Sequence, residues 1–365
     1  MNFKIKTQNL IKALQRAEKT VGKNFNLPIL SNVFIKTLKD KIEIRSTNLE
    51  IGLSELIKAE IKEEGEITIK PGIILSVLNQ LKNSSDLELF LKDNNLQING
   101  DFGKTKIKTE STEDFPQLPK INSDKIIKIN FNDWFQGIRS VVFSAATSDI
   151  KPEISSVYIY SDNNKLFFVS TDSLRLAEKN INFKKEDEIP GIIIPYKNAL
   201  EINRIFEGSE EISFKNDGDK LEIKNNFITL ISRTIEGVYP DYRQIIPKSF
   251  KTEIYVDKTE FLDKLKIAGV FADKLNHIKL NIKPKDKSLI IESENQEVGE
   301  SHLEIKSEII GEELEVSYNY RYINEVFQSI FSDKIFLGFN DKNKPLLISG
   351  ANDPSFIYLV MPINK

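Results

Sequence analysis

The segment Ser170-Thr-Asp-Ser-Leu-Arg-Leu176 places serine and aspartate side chains in one loop, and these are residue types that a nucleophilic site uses. A serine hydroxyl is a poor nucleophile unless a base such as histidine activates it. The chain's two histidines, His277 and His302, lie far downstream. A similar segment, Ser46-Thr-Asn-Leu-Glu-Ile51, occurs earlier, which indicates that the motif is partly structural. We therefore expect no catalytic residue in this loop.

The composition excludes several other kinds of chemistry. The chain has no cysteine, which excludes disulfides, thiolate metal sites and cysteine nucleophiles. It also has no glycine-rich phosphate loop of the Walker type, and we expect neither a cofactor nor a metal. The 51 basic and 54 acidic residues give a net charge of −3, which argues against nucleic-acid binding through overall basic charge.

The hydropathy pattern indicates a globular chain of more than one domain. Of its 365 residues, 40% are hydrophobic and 29% are charged, as in folded soluble proteins. No apolar run approaches the ~18–20 residues that a membrane helix needs. The start, Met1-Asn-Phe-Lys-Ile-Lys6, has no signal-peptide core. We expect a cytoplasmic protein of two or three domains, since a domain usually has about 100–200 residues.

The elements that must position these residues recur three times. Each copy begins with a short alternating strand, followed by apolar residues at the spacing of one helix face. The copies start at Phe3-Lys-Ile5, Ile127-Lys-Ile129 and Ile254-Tyr-Val256, at spacings of 124 and 127 residues. Candidate helix N-caps are Thr7, Asn132 and Thr259. The pattern predicts a strand running into a helix in each copy.

Further features recur at nearly the same spacing, and together they predict strand, helix, strands, helix, strands in each copy. Hairpin strands end with Lys41–Thr47, Lys165–Thr171 and Ser288–Ser293. Second helices follow Ile69-Lys-Pro71, Ile193-Ile-Pro195 and Val316-Ser-Tyr318, and turns fall at 93–95, 216–219 and 340–343. Each copy closes on Phe115-Pro116, Tyr239-Pro240 or Met361-Pro362. We predict an α+β chain of three similar domains, 1–122, 123–249 and 250–365, with linkers near 121–124 and 248–252.

The order and spacing of four segments resemble one known family over the whole chain. These segments are Asn26-Leu-Pro-Ile-Leu-Ser-Asn32, Ser170–Leu176, Tyr239-Pro-Asp-Tyr-Arg243 through Pro247, and Val360-Met-Pro-Ile363. Together with the threefold layout, they resemble the bacterial sliding clamps, the beta subunits of DNA polymerase III. The resemblance implies a head-to-tail homodimer whose six domains form a ring around duplex DNA, with sheets outside and helices inside. It also implies a non-catalytic processivity factor, placed on DNA by a clamp loader, that tethers polymerases through short hydrophobic peptides.

Basic side chains on the predicted helices are candidates for the surface that faces DNA. Lys12, Arg16 and Lys19 lie on the side of the first helix opposite its apolar residues, which could also be an ordinary solvated face. The other candidates are Lys23, Asn24, Arg139, Lys197, Arg204, Lys264, Lys266 and Arg321. This modest charge suits a ring, because tight phosphate contacts would hold it in place. Lys151-Pro152-Glu153 stands where the family often has aromatic or polar residues, so no DNA role is assigned there.

The resemblance further implies one apolar pocket for partner peptides between the second and third copies. Its apolar members would be Ile154, Leu174, Leu176, Pro240, Ile245, Leu359, Met361, Pro362 and Ile363. Thr171, Ser173, Arg175 and Gln244 would complete its turn and its polar edge. The chain departs from the family at Ser173-Leu174, where Gly-His is usual, and at Asn364-Lys365, where Arg-Leu is common.

The dimer contacts implied by the resemblance join the first copy to the third copy of the partner. Ile107, Val270 and Phe271 are the candidates. Two other functions stay open from the residues alone. One is an enzyme, which the absence of an activating base disfavours, and the other is a repeat scaffold that binds only proteins.

Overall fold

The computed structural model describes residues 1–22, 26–81, 86–100, 103–148, 150–183 and 188–363. Within these ranges the three predicted copies each contain two helices and a set of short strands. The first copy contains β1 (Asn2–Lys6), α1 (Thr7–Glu18), β2 (Val33–Thr37), β3 (Lys41–Thr47), β4 (Ile51–Lys58), β5 (Glu60–Glu63), β6 (Glu66–Ile69), α2 (Pro71–Gln80), β7 (Asp86–Lys92), β8 (Asn95–Gly100) and β9 (Gly103–Lys108).

The third copy repeats this order, and the second repeats it with one strand fewer between its two helices. The second contains β10 (Ile127–Asn130), α3 (Phe131–Val141), β11 (Ser156–Asp162), β12 (Lys165–Thr171), β13 (Arg175–Asn182), β14 (Ile192–Pro195), α4 (Tyr196–Ile205), β15 (Glu211–Asn216), β16 (Lys220–Lys224) and β17 (Ile228–Arg233). The third contains β18 (Thr252–Asp257), α5 (Lys258–Val270), β19 (His277–Lys283), β20 (Ser288–Asn295), β21 (Gly299–Lys306), β22 (Glu308–Gly311), β23 (Leu314–Asn319), α6 (Tyr320–Glu325), β24 (Lys334–Phe339), β25 (Leu346–Gly350) and β26 (Asp353–Val360).

The first helix is amphipathic, as the apolar spacing predicts. In α1 the side chains of Leu10, Ile11 and Leu14 are buried, whereas Lys12 is exposed. Burying each such side chain stabilises the fold by about 1.5–3 kcal/mol. The basic face of α1 is therefore a consequence of core packing on its opposite side.

The predicted N-caps were wrong by one or two residues. Thr7 is the buried first residue of α1 rather than its cap. The cap of α5 is Asp257, not Thr259, and its carboxylate accepts a first-turn backbone N–H at 2.8 Å. At the start of α3, Asn130 Oδ1 accepts the N–H of Asn132 at 2.8 Å. Each strand runs straight into its helix, so the last residue of the strand occupies the cap position.

Within the described residues, the strands form four antiparallel sheets. Two of them lie within one copy each, in the orders β5-β1-β7-β8-β9 and β21-β20-β19-β23. The other two continue from one copy into the next, in the orders β10-β15-β16-β17-β4-β3-β2-β6 and β14-β11-β12-β13-β26-β25-β24-β18-β22. The pairs β4–β17 and β13–β26 make these two joins.

The two joins use equivalent strands of the repeat. β4, β13 and β21 begin at residues 51, 175 and 299, a constant spacing of 124, and each has eight residues. Their joining partners, β17 and β26, are the final strands of their copies, as β9 is of the first. Both β9 and β21 lie at sheet edges. The chain thus makes the same strand-to-strand join twice. It leaves β21, the equivalent of β4 and β13, and β9, the equivalent of β17 and β26, at sheet edges.

The chain forms two compact units. One contains Met1–Asn132 with Lys197–Glu236, and the other contains Asp133–Tyr196 with Gly237–Lys365. The second copy contributes to both units, because its strands continue the sheet of the first copy at β17 and of the third copy at β13. The predicted boundaries near 122 and 249 stay predictions.

Candidate functional site

The turn between β12 and β13 presents one apolar side chain to solvent. Asp172 Oδ1 accepts the backbone N–H groups of Leu174 and Arg175 at 2.9 and 3.0 Å, and Thr171 Oγ1 accepts that of Ser173 at 3.1 Å. These bonds hold Ser173 at a φ of 77°, which costs a non-glycine residue roughly 1–2 kcal/mol. The Leu174 side chain is left 53% exposed.

The same turn occurs in the first copy, so the motif is partly structural, as the sequence comparison of the two segments predicts. There Asn48 Oδ1 accepts the N–H groups of Glu50 and Ile51, and Leu49 has a φ of 74°. Ser170 is buried and donates to the carbonyl of Ser156 at 3.2 Å, an arrangement without an activating base.

The C-terminal strand brings a second apolar side chain beside Leu174. β13 pairs with β26 so that Leu176 lies opposite Leu359, and the backbone N–H of Met361 donates to the carbonyl of Leu174 at 2.8 Å. Met361 is 37% exposed, whereas Leu176 and Leu359 are buried in the sheet. Of these four side chains, Leu174 and Met361 are the exposed ones, and Leu176 and Leu359 belong to the buried part of the sheet.

Four other predicted pocket residues lie at two places in the same unit. Pro240, Gln244 and Ile245 lie on an exposed segment, and Ile245 belongs to the 3-10 turn Tyr242–Ile245 and is 50% exposed. Ile154 is half-buried, and its carbonyl accepts the N–H of Ala146 at 3.0 Å.

Two residues at the C-terminal end differ in their surroundings. Pro362 is half-buried immediately after Met361. Ile363 leaves this surface: its N–H donates to the carbonyl of Ser317 at 2.8 Å, and it lines a cavity in the third copy with Asp273 and His277. Residues 364 and 365 lie outside the described residues.

Arg175 is bound within its own chain, and this differs from the expected polar contact at the pocket edge. Its guanidinium donates to Asp172 at 3.0 Å and to Glu325, and lies 4.4 Å from the ring centre of Tyr322. Its side chain is only 10% exposed. Burial alone would lower the pKa of Arg175, but the nearby carboxylates raise it, so the side chain stays charged. It joins the turn of the second copy to α6 of the third.

The predicted DNA-facing side chains within the described residues differ in exposure, and several of them form ion pairs. Lys12, Lys19, Arg139, Lys197, Lys266 and Arg321 are exposed. Arg16 instead forms a two-pronged ion pair with the buried carboxylate of Glu55, which restrains it from reaching a phosphate. Arg204 pairs with Glu201, and Lys264 pairs with Glu260, each at 2.6 Å. Lys23 and Asn24 lie outside the described residues.

The predicted dimer residues lie on or beside the two edge strands. Ile107 is on β9, but it is 5% exposed and packs inside its own sheet, so its side chain is not available to a partner. Val270 is exposed at the end of α5, and the ring of Phe271 lies against Gly299, the first residue of β21. Exposed Leu275 and Val298 add to this apolar surface and were not among the predicted dimer contacts.

Several residues that support the site were missed. They are Tyr160, Glu178, Tyr242, Tyr322, Glu325 and Glu55, all bound to distant partners. One signal was present: the Asp-Tyr-Arg extension after Tyr239-Pro240 has no counterpart in the first copy. In the part of the chain that the structure describes, no group of three or more acidic or histidine side chains could hold a metal ion. The helices of these same ranges are all too short or too polar to span a membrane.

Comparison with known families covers nearly the whole chain in three adjoining matches. Residues 1–119 match the N-terminal domain of the DNA polymerase III beta subunit, 128–241 match the central domain, and 243–364 match the C-terminal domain. The chain belongs to the DNA polymerase III beta subunit family.

Individual members of this family align from end to end. The beta sliding clamp of Synechococcus elongatus is 26% identical over 372 residues, covering 100% of this chain and 99% of that one. That of Rickettsia bellii is 27% identical, covering 98% of each. The crystal structure of the Bacillus subtilis sliding clamp superposes with a TM-score of 0.94 at 25% identity, covering 100% of this chain and 99% of that one. The predicted family, the three-domain clamp fold and the general function as a DNA sliding clamp are therefore confirmed.

Proposed function

We propose that two copies of this chain close head to tail into a ring through β9 of one subunit and β21 of the other. The observation that carries the proposal is the repeated internal join, β4–β17 and β13–β26, which leaves the equivalent strands β21 and β9 at sheet edges. An edge strand offers unpaired backbone groups to another strand. A head-to-tail contact closes when its rotation divides the circle, which suits three similar domains per chain.

The internal joins also suggest a register for this contact. Transferred onto β9 and β21, their pairing sets Gly299 opposite Ile107, and therefore Glu300 opposite Lys106 and His302 opposite Lys104. The oppositely charged side chains of Glu300 and Lys106 are both exposed in the subunit. Opposite charges facing each other across antiparallel strands stabilise the pair by about 0.2–1 kcal/mol. Val270, Phe271, Leu275 and Val298 would add apolar contact at the start of β21.

The ring would enclose duplex DNA without reading its sequence. Exposed lysines and arginines on the helices, such as Lys12 and Lys19, offer weak phosphate contacts, and the net charge of −3 limits tight binding elsewhere. A ring held by topology needs only such weak contacts to stay on DNA and to slide. In this function the chain catalyses no reaction itself, works in the cytoplasm, and depends on a clamp loader to be placed on DNA.

The surface around Leu174 and Met361 would bind the peptides of polymerases and other DNA enzymes. A peptide with two or three Leu or Phe side chains gains about 1.5–3 kcal/mol from each that becomes buried. Two or three such side chains give about 3–9 kcal/mol before the costs of ordering, so the complex should be micromolar (~8 kcal/mol) or weaker. That affinity allows partners to exchange.

The ring is tested by the molar mass and by a charge exchange. Light scattering should give twice the 41.8 kDa chain mass at micromolar concentration. Glu300→Lys should weaken the dimer by roughly 1–4 kcal/mol over both interfaces of the ring, because attraction becomes repulsion. Glu300→Lys with Lys106→Glu should restore it, and Glu313→Lys, an exposed change in the same copy, should have no effect.

Three outcomes separate the parts of the proposal. A wild-type monomer would refute the ring, and a dimer indifferent to Glu300→Lys would refute the register. For DNA, the loaded protein should stay on nicked circles at salt that removes it from linear duplex, and should leave when the circle is cut. Equal release from circular and linear DNA would leave only a protein-binding scaffold.

A further inference from the structure

A buried carboxylate lies on β13 beside the partner-binding surface. Glu178 is only 8% exposed, two residues after Leu176. Burial raises its pKa, since the charged form loses water, while the hydroxyl of Tyr242 lowers it again by donating to Oε2 at 2.5 Å. Burying an ionisable side chain destabilises the fold unless the group is paired and hydrogen-bonded. The hydrogen bond to Tyr242 is therefore the interaction that compensates the burial of this carboxylate.

The hydrogen bonds of this cluster run in one direction. The single hydroxyl proton of Tyr242 is donated to Glu178, so the Tyr160 hydroxyl, 2.5 Å away, must donate to Tyr242. Tyr160 in turn accepts from Nε of Arg243 at 3.1 Å, and that guanidinium also donates to Asp162 at 2.9 Å. Each tyrosine hydroxyl proton is donated once, so the bonds from Arg243 through Tyr160 and Tyr242 to Glu178 are mutually consistent.

The cluster and a neighbouring aromatic stack hold the start of one short segment. Tyr242 and Arg243 belong to the 3-10 turn Tyr242–Ile245, which carries the half-exposed Ile245. Just before it, the ring of Tyr239 stacks on Tyr158 at 4.6 Å between ring centres. The turn is therefore tied to β13, the strand that pairs with β26 beneath Leu174 and Met361.

The cluster is built in the second copy alone among the three equivalent positions. At the spacing of 124 residues, Glu178 corresponds to Ser54 in the first copy and to His302 in the third. In the first copy, Phe34 and Phe115 stack at 5.3 Å without any hydroxyl groups. The aromatic stack is thus common to two copies, whereas the carboxylate and its tyrosines occur where the partner site lies.

We propose that Glu178 and Tyr242 are positioning residues of the partner-peptide site, which hold the Tyr242–Ile245 turn so that Ile245 faces a bound peptide. The proposal rests on the partner site proposed above. Neither side chain touches the peptide. Their contribution is to keep one wall of the site in place before binding, so that the peptide does not have to order it.

The test measures the affinity of a fluorescent Gln-Leu-Ser-Leu-Phe peptide for the full chain by anisotropy. Tyr242→Phe and Glu178→Leu should each weaken binding by roughly tenfold, equivalent to 1.4 kcal/mol. Glu178→Gln should stay within about twofold of wild type, because its amide oxygen can still accept from Tyr242. Tyr255→Phe, the same substitution on a tyrosine that packs against Phe336 in the third copy, should not change binding.

A double-mutant cycle distinguishes positioning from general destabilisation. If Tyr242 acts through Ile245, Tyr242→Phe should weaken binding no further in an Ile245→Ala background. Additive losses, or wild-type affinity in Tyr242→Phe and Glu178→Leu proteins that circular dichroism shows to be folded, would overturn the positioning role. Absence of peptide binding by the wild-type dimer would instead refute the partner site itself, and the positioning role with it.

Discussion

Shortening Leu174 should weaken partner binding while leaving the ring intact. Full burial of a leucine side chain is worth about 1.5–3 kcal/mol, and 53% of this one is still exposed for a peptide to cover. Leu174→Ala should therefore remove about 0.8–1.5 kcal/mol, roughly a four- to twelvefold rise in Kd. The same reasoning gives a smaller loss for Met361→Ala, because only 37% of its surface remains exposed.

The chain supplies a matched control for this experiment. Leu49 lies in the equivalent turn of the first copy and is 49% exposed, so Leu49→Ala removes the same atoms at the same depth. Calorimetry with the Gln-Leu-Ser-Leu-Phe peptide should detect the loss for Leu174→Ala alone, with an unchanged molar mass by light scattering. Equal affinities for wild type and Leu174→Ala, or equal losses for both variants, would refute the assignment of the site to this turn.

Three further predictions concern charged side chains. Arg16→Ala should lower the free energy of unfolding by about 1–3 kcal/mol, because it leaves the buried Glu55 carboxylate without its partner. The control Lys12→Ala should change this free energy by less than about 0.5 kcal/mol. Denaturant titration measures both. Lys12→Glu with Lys19→Glu should weaken binding to linear duplex and reduce the slope of log affinity against log salt concentration by about two. Light scattering should show an unchanged dimer. An unchanged slope would exclude these lysines from the DNA surface. Burial raises the pKa of Glu178 above 4.5, so the folded state binds this proton more tightly than the unfolded state does. The stability of the wild-type protein should therefore fall as pH rises from 4.5 through that raised value, and Glu178→Gln should lack this contribution. Parallel profiles of stability against pH for the two proteins would contradict the prediction.

Much of the local structure could be predicted because its causes are local. The alternation of Phe3 and Ile5 and the apolar spacing after them are enough to specify a strand followed by a helix. The likeness of Ser46–Ile51 to Ser170–Leu176 predicts a shared turn, and side-chain bonds from Asn48 and Asp172 form it in both copies. The N-caps were misplaced because a strand joins each helix without a loop, an arrangement that residue preferences alone do not reveal.

The site was predicted only in part, because exposure and pairing depend on distant residues. Leu174 and Met361 lie on the surface, whereas Leu176 and Leu359 are buried. No feature of these leucines in the sequence distinguishes the two environments. Arg175 has the residue type of a pocket-edge contact, yet its carboxylate partner Glu325 is 150 residues away.

By itself, the sequence determined the threefold repeat, the order of strands and helices in each copy, and the likeness to the beta subunit family. Those properties depend on periods of two and 3.6 residues and on a spacing of 124, all of which can be counted along the chain. Only the tertiary structure decided which strands join neighbouring copies and which are left as edges. It also decided that Tyr242, at the start of the Tyr242–Ile245 turn, meets Glu178. The physical reason is that strand pairing, burial and hydrogen bonding between remote side chains are set by packing of the whole fold, and no local pattern encodes them.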